Sequence, residues 1–305
     1  EISACLVGSE MCIRDRNKMI QAFNWQFKLM VNRINFKAAF TAMMFMSVAS
    51  TVYNVLKYYN VDRTSSIDSS FAYIFNQSNE LLPIIIILIP VIAVLPFSTI
   101  HTSNRSLHSS PLYFSRFGIK KYYISQALCS FAGSFTVTLL PLLTNITLNN
   151  IFFQSTKYDG WNTYFTALTQ ISPKLLSEQT NYPYTITFAR LFFEHPVMYT
   201  VLFAVALSIF IGLCGVLSYS ISLGIERFAI LSALPMEIIV FLGLQQSNEA
   251  VLSYNHNFVN LNIMNYFTVN SLMGKNYFIV LAFCALMLAV SITLIYCKIK
   301  RNQFD

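Results

Sequence analysis

Glu237 is the one acid well inside an apolar run of this chain, the stretch Phe228–Leu244. A carboxylate at mid-bilayer costs about 2.5–3.5 kcal/mol on insertion scales, so such a group is rarely idle. It could sit in a polar path or a gate, or it could bond a Ser, Thr or Tyr of a neighbouring helix. A second polar set, Gln126, Ser130, Ser134 and Thr138, recurs every four residues in another apolar run. That spacing places all four on one helix face. Gln126, Ser130, Ser134 and Glu237 are therefore candidate residues of a translocation path, although helix–helix hydrogen bonding explains the first three at least as well.

Other chemistries lack their residues. There is no Walker A pattern, so the chain has no route of that kind to ATP, and there is no HExxH. The four histidines, His101, His108, His195 and His256, fall in loops or at the edges of apolar runs, and no two share a metal-ligand spacing. The six cysteines form no CxxC pair, and four of them lie in apolar runs, where Cys behaves as a small hydrophobe. No cofactor, metal or disulfide framework is expected, and an intramembrane enzyme would need converging acids, His or a nucleophile that the sequence does not supply.

The elements that must position these residues are membrane helices. Only 11% of the 305 residues are charged and 55% are hydrophobic, whereas soluble domains carry about 25% charged residues. The net charge of +7 does not point to nucleic acid, because positive charge collects in the cytoplasmic loops of membrane proteins. About 20 apolar residues in a helix cross the hydrocarbon core of a bilayer. The sequence predicts an all-α membrane protein with six transmembrane helices, at about 38–56, 81–100, 122–146, 197–220, 228–244 and 276–297. Pro141 and Asn145 are read as the far end of the third span. Residues 57–80 read as a polar loop, and so do the longer stretches 154–195 and 245–275.

Residues 1–16 do not match the rest of the chain and look like a leader derived from adapter or vector sequence. Residues 17–37 are amphipathic: Ile20, Phe23, Phe27, Met30 and Ile34 oppose Gln21, Asn24, Lys28, Asn32 and Asn35. This pattern fits a helix lying at the membrane interface, with basic residues near anionic lipid. The positive-inside rule orients the whole. With the N-terminus, residues 101–121, the turn at 226–227 and the tail on one side, that side holds 14 Lys and Arg against 6 on the other. Both termini are then cytoplasmic.

The segment 101–121 is basic and turns between two spans. Ser110-Pro111 suits a helix start. Leu112, Phe114 and Phe117 give the short helix apolar bulk, and Gly118 can end it in the left-handed conformation. Such a helix suits a partner surface. An ordinary solvated positive-inside loop would account for Arg105, Arg116, Lys120 and Lys121 equally.

The order of these elements resembles the type-2 ATP-binding-cassette exporter permeases. The local stretch SRFGIKKYYISQALCSFAGSFTVTLLPLLTN resembles bacterial members of that family, through Arg116-x-Gly118-x-x-x-Tyr122 and then Pro141-Leu142-Leu143-x-Asn145. The resemblance implies a non-catalytic permease subunit of the bacterial plasma membrane. It implies pairing with a second permease subunit, identical or not, and docking of a separate ATPase subunit. Leu112, Phe114, Arg116, Phe117, Gly118 and Tyr122 would form the coupling loop seated on that ATPase. An ion-coupled secondary transporter, or a sensor or scaffold without an ATPase, is the alternative; inverted repeats would favour the transporter, and none is visible.

Overall fold

The computed structural model describes residues 19–58, 69, 72–75, 81–106, 110–153, 191, 195–224, 263–268 and 277–304. Among them the regular structure is entirely helical. A first helix, α1, covers 19–32, and a single extended residue, Arg33 (φ −75°, ψ 146°), turns the chain into α2, Ile34–Lys57. There follow α3, Leu82–Ser106; the eight-residue α4, Ser110–Phe117; α5, Ile119–Phe152; α6, Pro196–Ser222; a 3-10 turn at Ile263–Tyr266; and α7, Tyr277–Phe304. Among the described residues, four helices are long and apolar enough to cross a membrane: α2, α5, α6 and Tyr277–Arg301 of α7. The apolar run Leu82–Ile92 lies in α3. This is the architecture of a multi-pass membrane protein.

Helices coincide with the first, second, third, fourth and sixth predicted spans, with ends up to seven residues beyond those expected; α3, at the second, is not among the four helices long and apolar enough to cross. At the third, the expected punctuation does not end the helix. Pro141 lies inside α5, which continues eleven residues beyond it to Phe152. A proline in a helix interior costs about 3 kcal/mol. Here Val137 and Leu142 are fully buried on either side of it, and Asn145, expected at the helix end, is instead a buried anchor that holds the next turn. The fifth span, Glu226–Arg227 and the interior of 154–195 lie outside the described residues, as do residues 1–18.

Side-chain bonds give the helix directions. Ser47 and Thr51 of α2 meet Asn145 of α5, and further along both helices Asn54 and Asn149 grasp the same carbonyl, so α2 and α5 run the same way. Gly212 lies against Phe131, Ser130 bonds Gly215, and Gln126 bonds Tyr219, so α6 runs antiparallel to α5. Tyr199 lies near Tyr277 at the start of α7, and the Phe210 ring lies tilted 6.3 Å from that of Phe283 further on, so α7 runs parallel to α6. The starts of α2 and α5 and the ends of α3, α6 and α7 therefore share one end of the bundle, with α4 as its elbow.

The sequence marks α6 as the centre and α7 as the rim. Ala204, Ser208 and Gly212 make a small-residue face, which lets helices approach closely. All three are buried, and 61% of the most apolar window of α6 is buried against 17% for α7. On α7, Phe278, Leu281 and Ile292 stay exposed, as residues facing hydrocarbon would.

Candidate functional site

The elbow is built by Gly118. Its N–H donates to the Phe114 carbonyl, closing α4, and its own carbonyl accepts from the Tyr122 N–H, opening α5. Its φ is 83° and its ψ is 146°. The positive φ is the expected one, but ψ is extended rather than left-handed helical. That region is nearly closed to side chains. A Cβ there would meet nothing within 4 Å, so the requirement for glycine is purely a backbone one.

Phe114 is half-buried. Its ring stands edge-on to Tyr122 at 5.2 Å and 88°, and it lies 5.9 Å from the ring of Tyr123. Phe117 is also half-buried, 6.3 Å from the ring of Trp25 on α1. The elbow thus covers its own aromatic residues, and the fully exposed apolar surface expected from sequence is absent at these two positions. Arg116 and Lys120 are exposed beside them. The side chain of Leu112 lies outside the described residues.

Helix α1 is fastened beneath α5. The Ser125 hydroxyl donates to Gln26 Oε1 at 3.0 Å, and Cys129 Sγ donates to the Phe23 carbonyl at 3.5 Å. Ala22, Gln26 and Met30 form its buried stripe, while Gln21, Asn24 and Lys28 are exposed. The buried face is turned to α5, and Gln26 adds a polar member that the apolar pattern alone does not indicate.

Gln126, Ser130 and Ser134 come together in the seam between α5 and α6, and all are buried. Gln126 Nε2 donates to Tyr122 Oη at 2.8 Å, and Tyr219 Oη donates to Gln126 Oε1 at 2.8 Å. The Ser130 hydroxyl donates to the Gly215 carbonyl at 2.7 Å. Ser134 is pressed against Gly215, where an added Cβ would collide with its side chain and lie 3.2 Å from the Ser130 carbonyl. Gln126 and Ser130 thus each hydrogen-bond across to α6. Glu237 lies outside the described residues.

A second polar cluster, which sequence reasoning missed, sits at the opposite end. Asn145 Nδ2 donates to the Ser47 carbonyl and to Thr51 Oγ1, both at 3.0 Å, while its Oδ1 accepts from the Ile74 N–H at 3.1 Å and from Asn149 Nδ2 at 3.2 Å. Asn149 and Asn54 both donate to the Ala72 carbonyl, at 3.0 and 2.8 Å. The turn 72–75, read from sequence as part of a polar loop, is almost completely buried, with Tyr73 1% exposed. Burial pushes the Tyr73 phenol far above its ordinary pKa, so it stays neutral. The only sequence signal was the i, i+4 pair Asn145 and Asn149 on one face of an apolar helix.

The described residues contain no group of three or more His, Cys, Asp or Glu that could hold a metal. The described arrangement comprises one basic-flanked elbow, one hydrogen-bonded seam and one anchored turn. No family model, no curated protein and no solved structure matches the chain.

Proposed function

We propose that this chain is the membrane permease subunit of an ATP-driven exporter of the type-2 ATP-binding-cassette kind. In this reading it is a non-catalytic subunit of a bacterial plasma membrane, paired with a second permease subunit and driven by a separate ATPase. The cargo is left as a hydrophobic, lipid-like or peptide-like molecule. The observation that carries the reading is the elbow: a short helix closed by a positive-φ glycine, seated between two long helices at the basic end of the bundle. Phe114, Arg116 and Phe117 occupy that elbow, with Tyr122 directly behind it.

Charge supports the orientation. Lys28, Arg33, Lys37, Arg116, Lys120 and Lys121 belong to the elbow end, as do Lys298, Lys300 and Arg301 of α7; the far end of α2 carries Lys57. The positive-inside rule puts the elbow and both termini in the cytoplasm. The parallel course of α6 and α7 supports six spans. A chain leaving α6 at one end and entering α7 at the other requires an odd number of crossings between them, as a fifth span at 228–244 supplies.

The test is affinity purification of the tagged full chain from its own membrane. A Walker-motif ATPase should co-purify, and Arg116→Glu should release it while the chain stays in the membrane. Transport that survives ATP depletion, with no ATPase recovered, would refute the reading.

A further inference from the structure

We infer that Tyr122, Gln126 and Tyr219 form a latch that makes the elbow and the near end of α6 move as one body. The elbow rests on α5, and its route to α6 is a chain of three buried side chains. The Phe114 ring stands edge-on to Tyr122. Tyr122 Oη accepts from Gln126 Nε2, and Gln126 Oε1 accepts from Tyr219 Oη, each at 2.8 Å. Tyr122 and Gln126 are 1% exposed and Tyr219 is fully buried.

The amide of Gln126 is the centre of this chain, because its two ends do opposite jobs. One end donates towards the elbow and the other accepts from α6. If Tyr122 and Gln126, one turn apart on α5, move with the elbow while α6 stays, the buried amide oxygen and the Tyr219 hydroxyl both lose their partner. Water does not replace them in that setting, so carrying Tyr219 along is the less costly response. Nearby, Gly215 and Gly212 remove side-chain bulk where α6 crosses Ser134 and Phe131. Contact there is close enough for a shift to be passed on rather than absorbed by a void.

At its other end α5 is tied to α2 and the 72–75 turn through Asn145 and Asn149. A load on the elbow therefore reaches α6 near the elbow and meets resistance at the far end. The proposal deepens the docking reading, which says what loads the elbow; the latch itself can be tested on the isolated full-length chain.

The experiment is hydrogen–deuterium exchange of the detergent-purified protein, comparing residues 217–223 with residues 199–207 of α6. Phe114→Ala should speed exchange over 217–223 by about tenfold and leave 199–207 unchanged. In a Gln126→Leu background, where 217–223 already exchange faster, adding Phe114→Ala should change the rate by less than about twofold. An equal effect of Phe114→Ala with and without Gln126 overturns the latch, and so does no effect in the parent. If Gln126→Leu does not fold, Tyr219→Phe breaks the chain at its α6 end and is read the same way. Loss of a co-purifying ATPase leaves this result untouched, so the two readings fail separately.

Discussion

The two ends of α5 are both held by buried amides, but in different ways. Near the elbow, Gln126 bonds only side chains, the hydroxyls of Tyr122 and Tyr219. At the far end, Asn145 and Asn149 bond backbone, taking the Ser47 and Ala72 carbonyls and the Ile74 N–H. A side-chain bond ties two helices to each other without fixing either backbone, so the pair can shift together. A bond to a buried peptide fixes the course of the chain itself. The far end is built as an anchor and the elbow end as a joint.

The sharpest test of that contrast is Asn145→Leu. It removes four bonds and leaves the buried Ile74 N–H without a partner, so a loss of about 3 kcal/mol is expected in detergent unfolding. Faster hydrogen exchange over residues 72–75 should accompany it. A loss below about 1 kcal/mol would mean that the turn is held by apolar packing instead.

Gly215→Ala is expected to cost about 2 kcal/mol, because the new Cβ collides with Ser134. Ser134→Gly in the same chain should restore most of it, since the collision is with that side chain. Gly212→Ala should cost less: its obstacle is the edge of the Phe131 ring, 2.7 Å from the added atom, and a ring can swing. Failure of the rescue would place the strain in the backbones of α5 and α6 rather than in their side chains.

At the elbow, Gly118→Ala should cost about 1–3 kcal/mol from backbone conformation alone. Because no atom lies within 4 Å of the added Cβ, trimming neighbours should not relieve it. The smallest effect is Tyr219→Phe, about 1 kcal/mol for one hydrogen bond, read as a shift in the unfolding midpoint. A value as large as that of Asn145→Leu would erase the distinction between joint and anchor.

Much of this was legible in the sequence because hydrocarbon imposes a simple code. Uncharged runs located α2, α3, α5, α6 and α7, though not all of their ends, and Ser110-Pro111 with Gly118 bracketed the elbow helix. Where a signal was local, as with the repeat from Gln126 to Thr138, its face was readable. The rest depended on partners far away in sequence. Asn145 bonds a residue 98 positions earlier and another 71 earlier, and nothing near it announces either. That is why Pro141-Leu142-Leu143-x-Asn145 read as an ending: proline and asparagine usually punctuate, unless tertiary bonds outweigh them. The same reasoning hid the burial of Ala72–Phe75, four ordinary residues in a stretch whose polarity suggested solvent.

At 1.5 Å per residue the 34 residues of α5 make a rod about 51 Å long. To fit wholly inside a hydrocarbon layer about 30 Å thick it would need to lean by about 54°, beyond the 0–40° that membrane helices adopt. Some of its length must stand clear of the hydrocarbon like a post above a floor. The end that projects then has headgroups and water around it instead of hydrocarbon.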